Sequence, residues 1–127
     1  METSGWSPLE PPFATEDSAI DERTHVVALD GEIDIRVSPR LRSRLVALTR
    51  EGKTAIVVDL SHVSFIDASL LDVLVVIHVR LLRRGGRLAI VCDQADVYRL
   101  LELTGLSETL DVFATRAEAL AAVGESP

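Results

Sequence analysis

The sequence predicts an α/β fold on a largely parallel sheet, and three observations carry that reading. Short β-branched runs, THVVAL, AIVVDL and RLAIV, alternate with stretches whose apolar residues fall at helical spacing. Several of the helical stretches are closed by a glycine, at Gly52, Gly85, Gly105 and Gly124. The hydrophobic fraction is 47% with only three Phe, one Tyr and one Trp, so the core must be aliphatic, as packed helices on a sheet require. A chain of 127 residues makes one compact domain with a single core.

Residues 1–20 carry Pro8, Pro11 and Pro12 among small and acidic residues, show no sustained period and read as a flexible, acidic, proline-containing leader, which Trp6 and Phe13 could dock. The folded domain is expected over residues 21–124, with a short tail at 125–127. Residues 25–29 form the first predicted strand, and Asp30-Gly31 reads as a turn that closes it. A loop with Glu32 and Asp34 leads to an amphipathic helix over residues 37–50, in which Val37, Leu41, Leu45 and Leu48 share a face and Ser38-Pro39 reads as its cap and first turn.

Residues 55–60 are continuously apolar up to Asp59, the mark of a central strand covered on both faces. The run then breaks at Ser64-Phe65-Ile66-Asp67-Ala68-Ser69 and restarts as a helix over residues 67–84. Gly85-Gly86 stops that helix, and residues 87–92 form another buried strand. A helix follows over residues 95–103, facing inward through Val97, Leu100, Leu101 and Leu103 and capped by Gly105. Residues 110–113 read as an edge strand and residues 116–123 as a last amphipathic helix.

Composition narrows the function. Thirteen Lys and Arg against twenty Asp and Glu give a net charge of -7, which argues against a nucleic-acid surface. Cys92 is the only cysteine, so no internal disulfide forms and an inert buried thiol in a reducing, cytoplasmic home is expected. The start METSGWSPLE lacks the basic and apolar regions of a signal peptide. Residues 70–82 are apolar but too short and too interrupted, by Asp72, His78 and Arg80, to insert in a membrane.

No metal site is expected, since His25, His62 and His78 are scattered and the lone cysteine has no partner spacing. No Gly-rich phosphate loop appears, so no nucleotide cofactor is expected. Ser69 lacks a nucleophile-elbow setting, which argues against a hydrolase. The strand-to-helix elbow is the candidate site. Asp67 there reads as an N-cap. A phosphate on a neighbouring hydroxyl would add nearly two negative charges beside Asp67 and Asp34.

Gly31-Glu32-Ile33-Asp34, Ile56-Val57-Val58-Asp59-Leu60, Phe65-Ile66-Asp67-Ala68-Ser69, Gly85-Gly86 and the VYRLLELTGL segment of residues 97–106 follow one another in order. Across residues 24–123 this pattern resembles the STAS domain of anti-sigma factor antagonists. The resemblance implies a STAS-type mixed sheet of four or five strands flanked by four or so helices. It also implies a non-enzymatic role in transcription: the unphosphorylated antagonist binds an anti-sigma factor that is also a serine kinase, with ATP bound by that partner, and the sigma factor is released. Phosphorylation at the elbow breaks the complex and a serine phosphatase restores it.

Carried over by position, Asp34 and Asp67 match the acidic residues of the partner-binding surface, with Ala68, Ser69 and Leu70 beside them. The family reads Asp, Ser, Ser or Thr, Gly, Leu, whereas this chain reads Asp67, Ala68, Ser69, Leu70, Leu71. The usual phosphoacceptor position is thus Ala68, which has no hydroxyl. Either Ser69 is a displaced phosphoacceptor or the elbow is not switched by phosphorylation. A one-residue shift on a helix turns the side chain by about 100° and moves it about 1.5 Å along the axis. Leu70 either adds bulk to the partner surface or turns into the core. A second reading is an unphosphorylated STAS subunit or scaffold of a lipid or ABC transporter or a stress-signalling complex, and a weaker third is an aspartyl-phosphate receiver using Asp59 or Asp67. A homodimer through an aliphatic edge stays open.

Overall fold

The computed structural model describes residues 14–124. Five strands lie side by side in sequence order: β1 (Ala14–Ala19), β2 (Thr24–Ile33), β3 (Ala55–Ile66), β4 (Arg87–Val91) and β5 (Asp111–Phe113). β1 is antiparallel to β2, and β2 to β5 are parallel to one another, so the sheet is mixed. The helices are α1 (Ser38–Arg50), α2 (Ala68–Leu82), α3 (Ala95–Leu103), the short α4 (Leu106–Thr109) and α5 (Arg116–Gly124).

The alternation of side chains along parallel strands divides the core in two. Val27, Leu29, Ile56, Val58, Leu88 and Ile90 pack against α1, α2 and α3 through Leu45, Leu74 and Leu101 in the larger cluster. Val26, Val57, Ala89 and Val91 meet Ala119 and Val123 of α5 in the smaller one. Both faces of β3 are therefore covered, which is why its first six residues are all apolar except Asp59.

Three sequence expectations change. The expected leader overlaps a strand, because residues 14–19 pair with β2 from Ala14 opposite Leu29 to Ala19 opposite His25. That strand is short, acidic and at the sheet edge, so it carries no apolar alternation to read; Trp6 and Phe13 lie outside the described residues. Asp30-Gly31 is not a hairpin turn. β2 runs through it to Ile33, and Gly31 takes φ +79° where the register with β3 shifts between Gly31 and Glu32, a bulge that a glycine suits. Ser38 is not a cap either, as described below.

β3 also outruns the apolar segment, extending past Leu60 to Ile66. β4 ends opposite Asp59, so β3 pairs only with β2 beyond that point. Gln94 takes over from β4: its Nε2 donates to the carbonyls of Leu60 (2.6 Å) and Val63 (2.8 Å), which would otherwise lack a partner.

One close approach fixes where β4 begins. The Arg87 amide donates to the Thr54 carbonyl at 2.7 Å, and a Cβ placed on Gly86 would lie 2.2 Å from that same carbonyl oxygen. Gly86→Ala is expected to cost about 2 kcal/mol or more through forced backbone displacement. Urea unfolding checks this, and an unchanged midpoint would refute the close approach.

Candidate functional site

The site lies where the parallel strands end and α1 and α2 begin. The last β2–β3 pair joins Ile33 to Ile66, and the Asp67 amide donates to the Ile33 carbonyl at 3.1 Å, so the start of α2 is anchored to the end of β2. Asp67 caps α2 as predicted: extended at φ -106° and ψ 159°, it accepts the Ser69 amide on Oδ1 at 2.7 Å. The Ser69 amide above all holds this carboxyl below its ordinary range, against an opposing push from burial and from the Asp34 carboxylate.

Asp34 organises the start of α1. Its Oδ1 accepts the amides of Arg36 (2.9 Å) and Val37 (3.3 Å), and its Oδ2 takes the Arg36 guanidinium at 2.9 Å and 3.2 Å. The Arg36 guanidinium, then the Arg36 amide, lower its pKa. Ser38, expected as the cap, instead donates its hydroxyl back to the Asp34 carbonyl at 3.2 Å, and no side chain caps the helix from Val37. Asp34, four residues earlier, instead accepts the amides of Arg36 and Val37 in the turn that leads into α1.

Between these two starts runs a hydroxyl relay. The Ser69 hydroxyl donates to Ser38 Oγ at 2.9 Å, and the Ser38 hydroxyl, in a residue only 1% exposed, donates to the Asp34 carbonyl at 3.2 Å. Ser69 is therefore hydrogen-bonded toward α1 and half-buried. Ala68 is exposed and offers only a methyl group. Leu70 is corrected as a partner-binding residue: it is 0% exposed and belongs to the main core cluster. The glycine replaced by Leu70 in the family pattern is thus a core substitution.

Two large apolar side chains that were not among the expected partner-binding residues stand at this end of the sheet. Ile35, beside Asp34, is 66% exposed, and Phe65, which pairs with Glu32 two residues before Asp67, is 51% exposed. The available signal was Phe65 at the break of the apolar run, next to Ser64 and two residues before Asp67. The Ser38–Ser69 bond joins residues 31 apart, and no local pattern announces it.

Asp59 is not available as a receiver aspartate. Its Oδ1 accepts the Ser61 amide (2.9 Å) and hydroxyl (2.6 Å), and its Oδ2 accepts Arg116 Nε (3.1 Å) and Nη2 (2.9 Å). Burial pushes its pKa up, but these donors outweigh it and the carboxyl is held low. Cys92 is buried as expected, and burial raises its thiol pKa. Among the described residues no group of three or more His, Cys, Asp or Glu could hold a metal ion, and no helix is long and apolar enough to cross a membrane.

Residues 17–119 match the model of the STAS domain. This chain belongs to the STAS domain family. The STAS chain is 32% identical over 97 residues to the anti-sigma F factor antagonist of Paenibacillus polymyxa, covering 75% of this chain and 82% of that protein. It is 33% identical over 88 residues to the anti-sigma-B factor antagonist of Bacillus subtilis, covering 69% and 80%. In structure it is similar to an anti-sigma factor antagonist from Mycobacterium paratuberculosis, with a TM-score of 0.78 at 30% identity over 87% of this chain and 92% of the other. The mixed five-stranded sheet with its helices is thus the fold of that family.

Proposed function

We propose that this STAS domain is an anti-sigma factor antagonist that regulates transcription by binding a serine-kinase-type anti-sigma factor, freeing the sigma factor. The supporting observation is the composition of the elbow: two low-pKa carboxylates, Asp34 and Asp67, stand with exposed Ala68 beside them and exposed Ile35 and Phe65 at the same end of the sheet. Apolar anchors next to fixed charges make a docking surface. Asp67 caps α2 and Asp34 holds the turn into α1, and we read this surface as one that acts by binding. The relatives named above support the kind of partner.

The relay bears on control. Phosphorylating Ser69 requires its oxygen to leave Ser38 and places a charge of about -1.5 to -2 beside Asp67 and Asp34. Ala68, at the family's acceptor position, cannot be phosphorylated. We therefore read the elbow as a binding surface that stays competent without a phosphorylation switch.

Titrating the purified protein into a kinase-type anti-sigma factor by calorimetry, with and without ATP, tests both statements. Binding is expected to survive ATP, with no phosphate found at Ser69 by mass spectrometry. Ser69→Ala is expected to bind within about 2-fold of the parent and to lose about 1 kcal/mol of stability, one hydrogen bond's worth. Asp67→Arg is expected to weaken binding by at least about 10-fold, as reversal of an interfacial charge does. Absence of binding to any such partner, with co-purification with a transporter ATPase instead, selects the scaffold reading.

A further inference from the structure

Away from the elbow, the outer surface of α1 and α2 forms a groove with a valine floor and an arginine rim. A depression on α2 lined by Val76, Val79, Arg83 and Arg84 meets, at Arg80, one on α1 lined by Arg42, Val46, Arg50 and the acidic Glu51. In a protein of net charge -7 this is a local concentration of cations. Arg84 donates to the Thr49 carbonyl at 2.6 Å. Among the described residues, Arg42, Arg50, Arg80 and Arg83 form no ion pair. Arg80 Nε is buried with no acceptor at all.

Cations in the last turn of a helix complement its dipole, which accounts for Arg50 and Arg80. It does not account for Arg42, one turn into α1, or for the exposure of Val76, Val79 and Leu82 (54%).

A matching surface exists on the same chain. α3 turns Val97 and Leu101 into the core and leaves Tyr98 and Leu103 outside, Leu103 at 70% exposure. Around them Asp93, Asp96, Glu102 and Glu108 are exposed against the single cation Arg99. Apart from Ile20 and the two residues at the elbow, every large exposed apolar side chain among the described residues lies on α2 or on α3. These two surfaces are opposite in charge, and each exposes large apolar side chains, Val76, Val79 and Leu82 on α2 and Tyr98 and Leu103 on α3. At about 1.5 Å per residue, nine-residue α3 is shorter than fifteen-residue α2, so it fits along the groove.

We propose that this domain associates with itself head to tail, the acidic outer face of α3 of one copy seated in the arginine-rimmed groove between α1 and α2 of the next. Such a contact is heterologous: each copy keeps one free groove and one free α3, so the assembly extends into a ring or an open chain. Asp34, Asp67 and Ala68 belong to neither surface. The assembly therefore presents one elbow per copy, and its test is independent of anti-sigma factor binding.

Sedimentation velocity of the full chain between about 10 μM and 1 mM, the range for small polar interfaces, reads the association. Concentration-dependent growth is expected in 0.05 M salt, weakened at least about 10-fold in 0.5 M salt by screening. R42E/R83E removes the groove's charge and E102Q/L103S removes the charge and the apolar side chain from the α3 face; all four residues are exposed, and each variant alone is expected to be monomeric. Mixed in equal amounts, the two are expected to form a dimer and nothing larger, because one intact groove meets one intact α3. Arg83→Gln and Glu102→Gln serve as milder versions, each expected to weaken growth, and circular dichroism verifies that all are folded. A parent protein that stays monomeric throughout, growth that is insensitive to salt or to either variant, or a mixture that yields no dimer would overturn the proposal.

Discussion

Leu70→Ala is expected to lower the unfolding free energy by about 3 kcal/mol, a large fraction of the 5–15 kcal/mol that holds a domain of this size. Leu70 is fully buried in the main cluster with Leu74 and Leu41, and helix and strand neighbours fixed by the sheet collapse only partly around a cavity. In urea the midpoint should fall by about 1.5 M at an ordinary slope. The same variant separates the two roles that the sequence left open for this residue. A side chain on the partner surface would change affinity and leave stability within about 0.5 kcal/mol. A core side chain does the reverse, and the placement of Leu70 predicts unchanged affinity for the fraction that is folded. A small shift in midpoint would place Leu70 at the surface after all.

The contrast between Leu70 and its neighbours shows what the sequence could carry. Periodicity located α2, and its first turn was read from Asp67, whose capping role follows from residue type and position alone. The inward or outward direction of the next three side chains depends on how α2 lies against α1. That angle is set by contacts such as Ser69 to Ser38, remote in sequence. β1 escaped for a related reason. Its residues are held by pairs formed across the sheet: Glu16 with Arg116, a hundred positions away, and Asp17 with Arg44 and His25. Local propensity for Ala14–Ala19 is weak, and tertiary contacts supply what it lacks. β3, by contrast, announced its buried half through composition, and only its two-stranded extension to Ile66, bonded to β2 and to Gln94, needed the structure.

The pairs that hold β1 lead to the other large effect. Asp17→Ala is expected to destabilise the domain by about 3 kcal/mol, because it strips His25 of its partner and leaves Arg44 only the more distant Glu51 carboxylate at 3.9 Å. Arg44 grips this carboxylate with Nε at 2.7 Å and Nη2 at 2.8 Å, His25 Nε2 lies at 2.6 Å, and only 5% of the Asp17 side chain is exposed. The other ring nitrogen of His25 is already buried without a partner, so the variant would leave the imidazole with none. Arg44, with 22% of its side chain exposed, can turn partly to water, which keeps the cost at the lower end of the range for broken buried pairs. The effect must also depend on pH in a definite direction. Burial pushes the Asp17 carboxyl up, but the hydrogen bonds from Arg44 and His25 and their charges outweigh it, and the folded-state pKa lies below the ordinary 3.8. A depressed carboxyl binds its proton more weakly in the folded state than in the unfolded chain. Its stabilisation is therefore complete above about pH 5 and is lost as pH falls through the folded-state value. Parent and Asp17→Ala should differ most near neutrality and converge in acid. Urea titrations at pH 7 and at successively lower pH read that convergence; a gap that stays constant across the acid range would mean that the Arg44–Asp17–His25 cluster does not tie β1 to α1.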